Sequence, residues 1–229
     1  MPSKTEKVRA SEDRGLPLVA VLLVLTVISG MIDAVSYLGL HHVFTANMTG
    51  NVVVLGFATA GTPGFSVSHT AASLGCFLAG ALAGGRVAKR LGGGSRRRWA
   101  RVTLAAEAVL VGAAAGVAFA APDATGTTYA VIVLTALAMG LRNATVRKLG
   151  VPDLTTTVLT MTLTGIASDS RLAGGKGTHS PRRTAGVLAM LAGALLGAWL
   201  VLHHGLGIPL LICAVAAGVL AVTASGRER

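Results

Sequence analysis

The sequence predicts an all-α polytopic membrane protein with six transmembrane helices, two short re-entrant or half-helical segments and an inverted 3+3 repeat. Three observations carry this prediction. Charged residues are excluded from long apolar runs. Lysine and arginine fall only at connections that a six-span topology places on one side. Short patterns from the first half recur, in order, in the second.

Of the 229 residues, 52% are hydrophobic and 13% charged, with a mean hydropathy of +0.69. A soluble domain carries about 25% charged residues. Thirty glycines suit membrane helices, which tolerate glycine and use it for close packing. Between residues 16 and 85 the only charge is Asp33, and residues 184–226 have none. Such runs read as membrane spans. The net charge of +11 sits in short clusters beside apolar runs, which argues for topology signals and against nucleic acid. Cys76 and Cys213 lie in apolar segments and read as small buried hydrophobes, not as a disulfide or zinc framework.

In order, residues 1–15 are polar and carry Lys4, Lys7, Arg9 and Arg14, a cytoplasmic tail. The apolar run at 16–40 is too long for a signal-peptide core and is the first span. Seven further apolar segments follow: 44–61, 69–91, 101–121, 128–149, 154–168, 183–203 and 206–225. All 20 Lys and Arg lie in the N-terminal tail, 86–101, 142–148, 171–183 and 227–229. If all eight segments crossed, Arg96, Arg97 and Arg98 would be outside, against the positive-inside rule. If 44–61 and 154–168 enter and leave on one side, every basic cluster and both termini are cytoplasmic. Segment 154–168 also spans only about 22 Å as a helix and carries six threonines. One membrane domain, 16–225, is therefore expected, with repeats over about 16–121 and 128–225 and a cytoplasmic tail at 226–229.

The repeat aligns Gly30-Met31-Ile32-Asp33-Ala34 with Gly140-Leu141-Arg142-Asn143-Ala144. Ala20-Val21 matches Ala130-Val131, and Thr45 and Thr49 match Thr156 and Thr160. Residues 78–84 match 191–197, each with two glycines four apart. Three spans and one short segment per copy make the copies opposite in orientation, a transporter architecture. The spacings Gly80/Gly84, Gly193/Gly197 and Gly112/Gly116 read either as close helix packing or as chance in a glycine-rich chain.

Asp33 is the sharpest candidate, because a charge inside a span costs about 2.5 to 3.5 kcal/mol on insertion scales. It reads as a proton- or cation-coupling site; otherwise it caps a broken helix or pairs with Arg142. Thr45, Asn47, Thr49, Gly50 and Asn51 supply hydroxyl and amide groups, with Gly50 allowing an unwound backbone or the cluster simply starting a helix. Arg142, Asn143, Thr156 and Thr160 occupy matching places in the second copy. Glu107 reads as snorkelling or paired near the inner end of its span. His41, His42, His69, His203 and His204 fall on the outer side as interfacial histidines, and no metal or cofactor is expected. No catalytic motif appears, so an enzyme is disfavoured.

The motifs G-M-I-D-A-V-S-Y-L, T-A-N-M-T-G-N, G-L-R-N-A and V-P-D-L-T-T-T-V-L-T resemble those of the YoaK family of bacterial membrane proteins, a domain of unknown function. The similarity covers about residues 16–225. It implies a six-span inner-membrane protein of uncharacterised activity and supplies no catalytic residues. Met161 departs from the glycine expected there. The Ala-, Gly- and Arg-rich composition is that of a high-GC bacterium. The expectation is a small secondary transporter or permease, coupled to protons or cations through Asp33. Its partners are the bilayer, a small solute or ion and a second copy in a homodimer. The alternative is a non-transporting assembly or sensory protein.

Overall fold

In hydrocarbon every backbone N–H and C=O must be satisfied within its own segment. Runs rich in Val, Leu and Ile therefore become helical here despite the modest helix propensity of β-branched residues in water. A computed structural model describes residues 18–91, 96–122, 124–149, 159–175 and 180–223. The described helices are α1 (Leu18–Gly39), α2 (Met48–Thr59), α3 (Val67–Leu91), α4 (Arg96–Ala120), α5 (Thr125–Leu149), α6 (Leu159–Ser168), α7 (Ser180–His204) and α8 (Gly207–Thr223). A 3-10 turn at Arg171–Ala173 follows α6, and no strand occurs among the described residues. The expected tails, 1–15 and 226–229, lie outside the described residues.

Five helices, α1, α3, α4, α5 and α7, are long and apolar enough to cross a membrane. The apolar α8 has 17 residues, about 25 Å of helix. By contrast α2 and α6 have 12 and 10 residues, about 18 and 15 Å, well short of a hydrocarbon core of about 30 Å. Both segments singled out as too short or wrongly charged to cross are thus half-length helices. The expected span at 101–121 begins earlier, because the helix continues back through the basic run to Arg96. Arginine is a good helix former, so a change from apolar to basic residues does not itself end a helix.

The long helices pack in parallel pairs, α1 along α7 and α3 along α5, with α4 set against both α8 and α5. Glycine makes the two crossings possible. A Cβ at Gly30 would lie 2.3 Å from the Met190 carbonyl oxygen, and one at Gly193 would lie 2.0 Å from that of Val27. At the other crossing, a Cβ at Gly80 would meet the Leu137 oxygen at 2.2 Å and one at Gly140 the Phe77 oxygen at 2.0 Å. Two of the three glycine spacings are therefore close packing. The third is not, since a Cβ at Gly112 meets Ala214 only at 3.7 Å and one at Gly116 meets nothing within 4 Å.

The bundle is apolar outside and partly polar inside. Leu78, Leu82, Leu191, Leu195, Trp199 and Leu202 are exposed, whereas Thr26, Ser29, Asp33 and Ser36 of α1 are buried beside Glu107 and Arg142. That arrangement suits a lipid surround, where apolar side chains face out and ionisable ones face the interior.

A candidate site where a half-helix meets Asp33

The site begins where α1 ends. A Cβ at Gly39 would lie 2.1 Å from the Leu206 side chain, so the helix closes against the start of α8. The left-handed stop that usually falls on glycine falls instead on His41 and His42, at φ 57° and 59°. The His42 amide donates to the Tyr37 carbonyl at 3.1 Å, closing the helix end. The chain then runs back along α1. Its Ala46 and Asn47 amides reach Asp33, which lies six residues, or about 9 Å, before the end of the helix. From there α2 returns, and the turn that follows it brings the Gly64 carbonyl to 3.3 Å from His42 Nδ1. Both ends of the segment 42–64 therefore meet, as expected of a stretch that enters and leaves on the same side.

Asp33 is 7% exposed, and its Oδ1 accepts from Ala46 N at 3.0 Å and Asn47 N at 3.2 Å. These amides lead into α2, so the carboxylate sits at the positive end of that half-helix. Asn47 is the N-cap residue proper, its side chain accepting from Gly50 N at 3.2 Å. Asn51 is fully buried and clamps one residue of the loop. Its Oδ1 accepts from Phe44 N at 2.9 Å, and its Nδ2 donates to Phe44 O at 2.5 Å and Ser73 Oγ at 3.1 Å. Ser73 Oγ also donates to Phe44 O, at 2.7 Å. Thr45 is fully buried, yet its hydroxyl has no hydrogen-bond partner. Thr49 is exposed in the first turn of α2.

Gly50 corrects one expectation. It lies inside the first turn of α2, where a Cβ would meet the Phe44 ring at 2.7 Å. Its smallness admits that ring; the non-helical stretch precedes it, where the chain turns back from α1.

Arg142 corrects another. Its partner is Glu107, not Asp33. Nε donates to Glu107 Oε2 at 2.9 Å, and a second guanidinium nitrogen bonds Oε1. Another donates to the Leu25 carbonyl at 3.0 Å and Ser29 Oγ at 2.8 Å. Both charged side chains are about 1% exposed. Glu107 is the twelfth of 25 residues in α4, deep inside the helix and not snorkelling at an end. Its importance could have been read from its being one of two acids between residues 102 and 141, but its partner could not.

The structure thus gathers Asp33, Thr45, Asn47, Gly50 and Asn51, and adds Ser73, which sequence reasoning passed over. Arg142 stands apart with Glu107. Asn143, the counterpart of Asp33, donates from Nδ2 to Met139 O at 2.9 Å in its own helix. Thr160 is exposed on α6, which packs on α7, and Thr156 lies outside the described residues. The rings of His41 and His69 stack at 5.2 Å, and His69 meets Tyr129 edge-on at 4.5 Å. Among the described residues no three His, Cys, Asp or Glu are placed to hold a metal.

An apolar exterior, an enclosed carboxylate, a buried ion pair and five helices of membrane-crossing length define a polytopic helical membrane protein. The chain belongs to the DUF1275 family of proteins of unknown function, whose model matches residues 21–223. It is similar to the UPF0700 transmembrane protein YoaK of Bacillus subtilis (strain 168), with 33% identity over 151 residues. That match covers 65% of this chain and spans 65% of the length of the relative. The resemblance seen in the motifs is therefore a family membership. No solved structure matches the chain.

Proposed function

We propose that the protein is a small secondary permease of the bacterial inner membrane, built as an inverted repeat of three spans each, with both termini cytoplasmic. The observation that carries this reading is a carboxylate, enclosed within a span, holding the N-terminal end of a half-length helix. Discontinuous segments meeting ionisable groups inside the bilayer are where transporters of this architecture bind solutes and coupling ions. Asp33 is then a charge-dependent latch: ionised, it holds the Ala46 and Asn47 amides; protonated, it loses much of that attraction.

The repeat is supported by the packing. Exchanging α1 to α4 for α5 to α8 maps each helix-to-helix contact onto another: α1 on α7 onto α5 on α3, α2 on α3 onto α6 on α7, and α4 on α5 onto α8 on α1. The glycine crossings obey the same exchange, Gly30 facing Met190 as Gly140 faces Phe77. With α8 as the sixth span, all basic clusters fall on one side.

A non-transporting role, with Asp33 as a structural cap, is favoured by the same two amide bonds, so the test must separate the two. In vesicles carrying the protein, a panel of small polar solutes is added in turn and internal pH is followed with a trapped dye. The permease reading expects a solute-evoked pH change that Asp33→Asn abolishes while the protein still inserts. A wild type silent to every solute, or an Asp33→Asn protein that behaves like it, overturns the reading. For topology, cysteines at Ser66 and Ser95 should label from outside and inside respectively; any other pattern refutes the six-span arrangement.

A further inference from the structure

The Glu107–Arg142 pair plays no part in that reading, yet it occupies the costliest place for charge in the molecule. Arg142 bonds Leu25 O and Ser29 Oγ on the face of α1 that carries Thr26, Ser29, Asp33 and Ser36, spaced three and four residues apart. All four side chains are buried. Asp33 lies four residues beyond Ser29, about one turn and 6 Å along the axis. Arg142 is the charged group whose field Asp33 feels. Two carboxylates therefore lie within the sweep of one long side chain: Glu107, which holds it, and Asp33, which is held by the amides before α2.

We propose that Arg142 exchanges partners, leaving Glu107 for Asp33 and so releasing the half-helix segment. The exchange rests on reading Asp33 as a latch. Arginine keeps its charge in any protein environment and needs a carboxylate when enclosed. A proton taken up by Glu107 removes one such partner and leaves Asp33 as the other. The enclosed charge then passes from Glu⁻, Arg⁺, Asp⁻ to GluH, Arg⁺, Asp⁻, with one proton bound and no charge left unpaired. Asp33 in turn gives up the Ala46 and Asn47 amides, and the segment bearing the unpartnered Thr45 hydroxyl is freed. Cys213 of α8 is the other titratable group beside the pair and is fully enclosed.

The experiment needs no transported solute. Thr45→Cys is introduced with Cys76→Ala and Cys213→Ala, and a membrane-impermeant maleimide is applied from outside. The position is buried, so labelling of the otherwise native protein is slow. Glu107→Gln mimics the protonated acid and is expected to speed labelling by at least about tenfold. Adding Asp33→Asn removes the acceptor for Arg142 while retaining an oxygen for the two amides, and returns labelling to the slow rate. Acid should speed labelling in the protein with Glu107 and not in Glu107→Gln. A Glu107→Gln protein that labels at the native rate overturns the exchange, as does a double variant as fast as the single one, which signals general loosening. If Glu107→Gln does not insert, Glu107→Asp, too short for the two-point contact, carries the same test. Labelling that follows this pattern without solute-evoked pH change sustains the exchange and sinks the permease; the reverse result does the opposite.

Discussion

Gly140→Ala probes how closely α3 and α5 approach. The added methyl would sit 2.0 Å from the Phe77 carbonyl oxygen and 2.8 Å from the Ala81 amide nitrogen. Ordinary contact begins at 3.4 Å, so the shortfall at the oxygen is about 1.4 Å. Both obstructing atoms are backbone, and no rotamer change relieves them. The helices must part, and a gap of 0.5 to 1 Å already forfeits about a quarter to a half of the dispersion attraction across a contact. Overpacking of this kind costs about 1 to 3 kcal/mol. Alanine offsets about 1 kcal/mol through its better helix propensity. The net expectation is a loss of about 1 to 2 kcal/mol, with Gly30→Ala behaving alike at the α1–α7 crossing. The control is Gly75→Ala, where a Cβ meets nothing within 4 Å and stability should hold or rise. Unfolding of detergent-solubilised protein, followed by circular dichroism, measures all three. Equal midpoints for Gly140→Ala and Gly75→Ala would refute the close crossing.

Two further substitutions test the loop before α2. Asn51→Ala removes the acceptor for Phe44 N and one donor to Phe44 O, leaving buried backbone groups unpaired, and should cost about 2 to 4 kcal/mol in the same unfolding assay. A loss below about 0.5 kcal/mol would show that Asn51 does not hold the loop. Thr45→Val replaces an unpartnered buried hydroxyl with a methyl of similar size, so stability should be unchanged or up to about 1 kcal/mol higher. A marked loss would mean that the hydroxyl has a partner in the membrane; unchanged stability with lost solute-evoked pH change would place it in the permease's path.

Much of the architecture was legible because charge is so costly in lipid. A chain with one charge between residues 16 and 85 has few alternatives to membrane helices, and the positions of 20 basic residues separated the half-length segments from the long ones. The matched glycines at 30, 140, 80 and 193 were visible as sequence; that each presses on a partner's carbonyl was not. Asp33 stood out by being alone. Its bonds to Ala46 and Asn47 did not, since they depend on the left-handed turn at His41 and His42, where glycine would be the usual signal.

The sequence by itself determined which segments are apolar and long, which are short, and which ionisable residues are enclosed, because these follow from hydrophobicity and length along the chain. Only the tertiary structure decided who pairs with whom. Arg142 and Glu107 are 35 positions apart, and Asn51 and Ser73 are 22 apart; their meeting depends on how the helices cross. Repeat symmetry suggested Asp33 for Arg142, but an enclosed guanidinium takes the carboxylate that offers two oxygens in its plane, and packing of α4 against α5 brings Glu107 there.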